Sequence, residues 1–349
     1  MIAPWMLPDF DDHEGVHIFR DRQAGLTAII AIHSTHLGPA GGGTRFWHYA
    51  DPASALTDAL RLSRGMSYKN AMAGLAMGGG KAVILADADR TKSPELIAGF
   101  AKAVDSLGGR YVTAQDVGIS AQDILDISKG TKFVSGLPPK AGGAGGDPGP
   151  STALGVFLGV KAAVKRALGK DDMAGVHVAI QGVGSVGGGL ARHLAQAGAR
   201  LTLADQDAAK AAALAAELGG NVVAADAILS TEADVLSPCA LGAILDSHTI
   251  PLLKAPVIAG GANNQLARPE HGDEVQARGI LYAPDYVINA GGIINVALEY
   301  LDGADRAAVD AKVAGIPGRL NAVWDESAVT GDNPAKVADR MAQKLIGRG

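Results

Sequence analysis

Two stretches of this chain carry residues whose types and spacing suit chemistry. The first, at 176–187, reads VHVAIQGVGSVG, in which Gly182, Gly184 and Gly187 form G-x-G-x-x-G with Ser185 and Val186 between them. An apolar strand precedes it and a helix over 188–197 follows. A second strand then ends in Asp205, 18 residues after Gly187. In that context each glycine has a task. The first permits a tight turn, the second lets the backbone approach a pyrophosphate, and the third lets helix and strand pack closely. The helix N-terminus offers unpaired N–H groups to the phosphates. Asp205 stands where an acid accepts hydrogen bonds from the adenosine ribose. Its charge repels a 2′-phosphate, which favours NAD over NADP.

The second stretch is GLAMGGGKA at 74–82. It is not a phosphate-binding P-loop, because G-x-x-x-x-G-K-[ST] needs glycine at 75 and a hydroxyl at 82, where the chain has Leu75 and Ala82. What remains is Lys81, emerging from three glycines into the apolar run AVIL. An ammonium in such surroundings loses hydration, which draws its pKa toward neutrality and suits it to general-base work. Lys69, twelve residues earlier in SYKNAMAG, would lower that pKa further if the two converged. A third pattern misleads. His13–His17 spells H-E-x-x-H, but a glycine interrupts it and VHIF reads as strand. On a strand the two histidines stand about 13 Å apart, too far to share zinc. No metal site is expected.

The elements that position these residues are those of an α/β protein. Residues 25–33 read as a buried strand, 38–45 (GPAGGGTR) as a glycine-rich turn, 52–66 as a helix, 82–85 as a strand, 94–107 as a helix and 111–114 as a strand. The glycine- and proline-rich segment 136–150 reads as an interdomain hinge. Beyond it a long helix at 151–168 leads into short strands at 176–180, 200–204, 221–225, 233–236, 256–260 and 279–283, several separated by helices. That alternation implies a mainly parallel sheet with helices on both faces. The tail from about 317 reads as helical and polar. With 349 residues, two domains are expected. With 31 basic and 36 acidic side chains the net charge is −5, which argues against a nucleic-acid partner. One cysteine, Cys239, excludes a disulfide framework. No apolar run approaches the roughly 20 residues of a membrane span. The acidic N-terminal stretch lacks a signal-peptide pattern, so a cytoplasmic setting is expected. Asp58, Asp123 and Asp126 read as solvated helix faces.

Several longer segments carry a resemblance. GPAGGGTR, DALRLSRGMSYKNAMAGLAMGGGKAVI, TAQDVG, QGVGSVG, SPCALGAI, IAGGANNQL and YAPDYVINAGGIINV resemble, in this order, the leucine/phenylalanine/valine dehydrogenases of the glutamate dehydrogenase superfamily, nearest its leucine dehydrogenase branch. The resemblance runs from about residue 25 to 300. It implies reversible oxidative deamination, in which an L-amino acid, NAD and water give the 2-oxo acid, ammonia and NADH. It implies an N-terminal substrate and oligomerisation domain over 1–140 with the tail 325–349, a Rossmann-type NAD domain over 141–324, a cleft between them and a homo-oligomer. It makes Lys81 the catalytic lysine, Lys69 the lysine that binds the substrate carboxylate, and Asp116 the acid that moves protons around the amino group. Gly42 and Gly43 match glycines that approach the carboxylate. Asn263 matches an asparagine touching substrate and cofactor, and Thr152 a threonine near the nicotinamide. Cys239 and Ala240 join Ser185 and Val186 at the cofactor.

The match also departs from its family. The leucine branch usually reads GPALGG; Gly41 here replaces a leucine that lines the side-chain pocket. Either the pocket takes a larger side chain such as phenylalanine, or a neighbour fills the gap. Ala114, Ile293 and Val296 align with other pocket positions. Ile293 is bulkier than the usual valine. No charge is offered there for a polar substrate side chain. Gln115 replaces the acid of TAED. Leucine and valine are therefore the expected substrates, with phenylalanine or another bulky apolar residue as the alternative. A catalytically silent NAD-binding protein is the alternative of a different class.

Overall fold

The computed structural model describes residues 3–139 and 143–349. The chain divides into two compact units. One holds the chain up to Asp147 with Asn295–Val309 and Ala342–Gly349; the other holds Pro148–Ile294 and Asp310–Met341. Of the stretch 325–349 expected with the first unit, only Ala342–Gly349 lies there.

The first unit is built on five strands: β1 (Gly15–Asp21), β2 (Leu26–Ser34), β3 (Ala40–Trp47), β4 (Gly78–Leu85) and β5 (Tyr111–Gln115), in the order β1-β2-β4-β3-β5. β2 runs antiparallel to both β1 and β4, while β4, β3 and β5 are mutually parallel. Alternation along β2 and β4 splits the core in two. Ala28, Ile30, Ile32, Ala82 and Ile84 face helices α2 (Pro94–Asp105) and α3 (Ala121–Ser128). Ile29, Ala31 and Val83 face helix α1 (Pro52–Met72) through Ala55, Leu56, Ala59 and Leu60. The pleat therefore puts Lys81 on the α1 side with Val83. α1 starts as its sequence dictates, with Pro52 in the first turn and the Asp51 side chain accepting from Ser54 N. It runs six residues past the expected end, to Met72.

The turn expected at 38–45 is strand from Ala40 onward, and the second glycine run opens a strand expected only from residue 82. Gly41–Gly43 lie within β3, and Gly78–Gly80 open β4. Backbones approach too closely there for side chains. A Cβ at Gly79 would lie 2.0 Å from Ser67 N of α1, and one at Gly42 1.8 Å from Gly80 O. The β3–β4 pairing runs through Gly41↔Gly79 and resumes at Thr44↔Ala82, while Gly42 and Gly43 pair with Thr113 and Ala114 of β5.

The second unit begins with α4 (Gly149–Leu168), inside the expected hinge, of which residues 140–142 lie outside the described residues. Its sheet is wholly parallel, in the order β11-β10-β9-β6-β7-β8. The strands are β6 (His177–Gln181), β7 (Arg200–Ala204), β8 (Asn221–Val222), β9 (Val235–Pro238), β10 (Val257–Ile258) and β11 (Leu281–Tyr282). α5 (Ser185–Gln196) and α6 (Ala208–Leu218) separate the first of them. Short α7 (His271–Ala277) and α8 (Asp285–Ile288) precede α9 (Gly291–Asp302), α10 (Arg306–Val313), α11 (Ile316–Thr330) and α12 (Pro334–Leu345). α11 is less polar than expected: Trp324 is buried and donates to Tyr282 O at 2.9 Å. The chain's end returns to the first unit. There Arg348 donates to the carbonyls of Asp11, Asp12 and His33, and burial together with Arg348 holds the His33 imidazole down to about 4. None of the helices among the described residues is long and apolar enough to cross a membrane.

Candidate active site

Lys81 sits in the middle of β4, 6% exposed, and its Nζ donates to Asp116 Oδ2 at the end of β5. Burial pulls the ammonium below its ordinary value of 10.5, an effect that Asp116 partly offsets. Burial pushes the Asp116 carboxyl up, but Lys81 and then Arg45 outweigh it and hold the group ionised below the usual carboxylate range. A buried, depressed lysine paired with a carboxylate is a proton-transfer pair in waiting. Gly43 adjoins it: a Cβ there would lie 2.9 Å from Asp116 Cβ. The positions that Cβ atoms would take at Gly42 and Gly43 are thus occupied by Gly80 O, Gln115 O and Asp116 Cβ. Ala114, two residues before Asp116, is buried and pairs with Gly43.

Lys69 lies in the last turn of α1, which is fixed to the glycine run before Lys81. Ser67 packs on Gly79, and Asn70 Nδ2 donates to Gly78 O at 2.6 Å. At Gly41 a neighbour does fill the gap: a Cβ there would lie 2.4 Å from Met77 Cε and 3.3 Å from its Sδ. Met77 is buried. Val296 approaches Gly136, with its Cγ1 3.7 Å from where a Cβ would stand. Ile293, one turn earlier on α9, belongs to the second unit.

In the second unit the fingerprint residues converge. Gly182 is left-handed at φ +87°, and a Cβ there would lie 2.7 Å from Ala240 Cβ. A Cβ at Gly187 would lie 1.9 Å from Gly182 O and 3.0 Å from Cys239 Cβ. Gly184, the N-cap of α5, is different. A Cβ there meets nothing within 4 Å, and no side chain caps the helix. That bare N-terminus suits a pyrophosphate. α5 begins at Ser185, three residues before the expected start, so Ser185 and Val186 form its first turn. Asp205 Oδ2 accepts from Val183 N at 2.8 Å, which ties the acid to the turn and lowers its pKa. Thr152 donates to Pro148 O and borders Gly292. Asn263 Oδ1 accepts from Asn289 Nδ2 at 2.8 Å.

Other residues singled out in the sequence have partners of their own. His13 Nε2 lies 3.0 Å from Leu60 O and 2.9 Å from Ser63 Oγ. Asp58 is not a solvated acid. It is buried on α1 and bonded to Arg45 at 2.6 Å, Tyr49 at 2.7 Å and Arg61 at 3.1 Å. Asp123 pairs with Lys92 and completes a capping box with Ser120, whereas Asp126 meets Lys129 at the surface.

Comparison with known proteins decides the family. The model of the Glu/Leu/Phe/Val dehydrogenase dimerisation domain matches residues 13–132, and the glutamate/leucine/phenylalanine/valine dehydrogenase model matches 204–330. The chain is 48% identical to the leucine dehydrogenase of Bacillus subtilis over 97% of its own length and 92% of the relative's. It belongs to the glutamate/leucine/phenylalanine/valine dehydrogenase family. It is also 46% identical to the valine dehydrogenase of Streptomyces albus, over 97% of this chain and 93% of that protein. The crystal structure of L-tryptophan dehydrogenase from Nostoc punctiforme superposes with a TM-score of 0.86 at 43% identity, covering 96% of both chains. The chain is thus an amino-acid dehydrogenase, and the silent-protein alternative falls away.

Proposed function

We propose that this dehydrogenase performs reversible, NAD-dependent oxidative deamination of apolar L-amino acids, with leucine and valine preferred. The observation that carries the chemistry is the buried Lys81–Asp116 pair beside the glycine run of β3. A bound dinucleotide would supply the hydride acceptor for the amino acid's Cα. Lys81, in its neutral form, accepts a proton from the water that attacks the resulting substrate iminium. Once protonated it stabilises charge on the carbinolamine oxygen. Asp116 exchanges protons with the departing ammonia. Lys69 remains cationic and pairs with the substrate carboxylate. Gly42 and Gly43 supply backbone beside that carboxylate, and Asn263 contacts substrate and cofactor. Gly182, Gly184, Ser185, Val186, Gly187, Thr152, Cys239 and Ala240 hold the dinucleotide. The enzyme works in the cytoplasm as a homo-oligomer, with the amino acid, 2-oxo acid and ammonia as its small-molecule partners. Initial rates of NADH formation at alkaline pH across leucine, valine, phenylalanine and glutamate test the reading; absence of turnover with every apolar amino acid overturns it.

Asp205 supports NAD over NADP through its ionised carboxylate at the end of β7. Because that side chain also holds Val183 N, asparagine is the informative replacement. Asp205→Asn keeps an acceptor and removes the charge. It is expected to narrow the NAD/NADP ratio of kcat/KM about tenfold or more, a difference of about 1.4 kcal/mol. A wild-type enzyme indifferent to the 2′-phosphate contradicts the assignment.

Met77 supports leucine and valine, since it fills the space that Gly41 leaves. The flexible methionine could also withdraw, and the similarity to L-tryptophan dehydrogenase favours a second reading with a bulky aromatic substrate. Met77→Ala is expected to raise the phenylalanine/leucine ratio of kcat/KM about tenfold, because pocket volume is worth about 1–3 kcal/mol per methylene. An unchanged ratio would remove Met77 from specificity. A wild-type enzyme that already prefers phenylalanine would establish the second reading.

A further inference from the structure

Behind the Lys81–Asp116 pair lies a line of charges of alternating sign. Arg45, on β3 two residues beyond Gly43, places Nε 3.7 Å from Asp116 Oδ2 and Nη1 2.6 Å from Asp58 Oδ2. Asp58 in turn receives Tyr49 Oη at 2.7 Å and Arg61 Nη2 at 3.1 Å. The two ends differ in exposure, 7% for the Lys81 side chain against 58% for that of Arg61. The outer end opens into a surface pocket of about 690 Å³ that Arg45, Tyr49, Asp58 and Arg61 help to line. One donor in this otherwise bonded array is unused: Arg45 Nε is buried and has no hydrogen-bond partner. At 3.7 Å from Asp116 it is too far to bond but near enough to do so after a small rotation of the carboxylate.

We propose that Arg45, held in place by Asp58, is a positioning residue for the Lys81–Asp116 pair. It supplies a second, fixed partner for the carboxylate, so that Asp116 stays ionised and oriented when Lys81 turns to the attacking water. This rests on the roles given above to Lys81 and Asp116. The charged groups facing Lys81 are Asp116 after β5, Arg45 on β3 and Asp58 on α1, while Tyr111 of β5 feels the Asp116 charge and Tyr49 feels that of Asp58. Arg45 makes Lys81 easier to deprotonate and Asp58 makes it harder. Deamination requires neutral Lys81. Loss of the Arg45 charge must therefore move the rising limb of the pH–rate profile to higher pH, and loss of the Asp58 charge must move it to lower pH.

The test is the pH dependence of kcat/KM for L-leucine with NAD in three variants. Arg45→Gln is expected to move the limb up by about half a pH unit or more and to lower kcat about tenfold to a hundredfold, with the leucine KM changing less. Arg45→Lys is expected to restore the limb but only part of kcat, since lysine keeps the charge without the two-sided guanidinium. Asp58→Asn is expected to move the limb down. If Arg45→Gln does not fold, Asp58→Asn decides alone: a downward limb supports the proposal and an unmoved one overturns it. Limbs that coincide with wild type, or that move in the same direction in Arg45→Gln and Asp58→Asn, overturn it too. Lys81→Met, assayed alongside, separates the failures. An active Lys81→Met enzyme refutes the underlying roles. An inactive one beside unmoved Arg45 and Asp58 limbs refutes only the positioning pair.

Discussion

Lys81→Met is expected to lower kcat for leucine deamination about a thousandfold or more, within the range for removal of a general acid–base group. The substitution is chosen so that the fold survives. Lys81 is almost fully buried on the α1 face of β4, beside Val83, and methionine matches its stem in length while removing the ammonium. What is lost is the group that can both take a proton from water and return a charge to the carbinolamine. The substrate KM should change far less, because the carboxylate is assigned to Lys69 in the proposed mechanism. The wild-type profile carries a matching signature. Because burial depresses Lys81, the rising limb of kcat/KM should lie below 10.5, the ordinary value for lysine. A Lys81→Met enzyme within tenfold of wild-type kcat would show that the proton moves elsewhere, and Asp116 would then be the candidate. Circular dichroism and the melting temperature, unchanged from wild type, are the controls that make a low kcat a statement about chemistry.

The parts of this architecture that local chemistry determines could be read in the sequence. G-x-G-x-x-G with its flanking strand and Asp205 folds as the spacing requires: Gly187 closes on Gly182 O and Asp205 accepts from Val183 N, both contacts within about 25 residues of chain, while the packing of Gly182 on Ala240 comes from further along the sequence. The glycine runs at 41–43 and 78–80 could not be read in the same way. Glycine weakens a strand taken by itself, so the first suggests a turn and the second leaves its strand to begin only at residue 82. Their strand character comes from Ser67 of α1 and from each other, contacts that exist only once the sheet is assembled. A signal was present: each run leads straight into a strand-like segment, TRFW or KAVIL, and glycine beside such a segment marks close backbone approach. Asp58 and Arg45 were hidden for another reason. On α1 the acid has a lysine-free, unremarkable setting, and its partner comes from β3, 13 residues earlier and in a different element. Met77 against Gly41 is a tertiary contact of the same kind, which no periodicity reports.

The distinction between glycines that serve the fold and glycines that serve a ligand leads to the second large expected effect. Gly42→Ala should be severely destabilising. Its Cβ would lie 1.8 Å from Gly80 O and 2.8 Å from Gly80 C, both backbone atoms of the neighbouring strand, so no side-chain rotation relieves the overlap. Overpacking of a core typically costs about 1–3 kcal/mol, and a clash with backbone belongs at or beyond the upper end. At about 2–4 °C per kcal/mol for a large domain, the melting temperature should fall by about 6 °C or more. Activity should fall with it, because β3 and β4 carry the glycines and Lys81 in one register. Gly184→Ala makes the opposite case. Nothing lies within 4 Å of its Cβ and no positive φ needs relief, so the melting temperature of the free enzyme should stay within about 2 °C of wild type. The methyl group enters the space assigned to the pyrophosphate, so the KM for NAD should rise about tenfold or more. If Gly184→Ala lost stability while NAD binding was kept, the turn before α5 would be glycine-rich for packing alone. If Gly42→Ala melted like wild type, the two strands would be free to part there, and the rigidity invoked to hold Lys81 against Asp116 would have to come from α1.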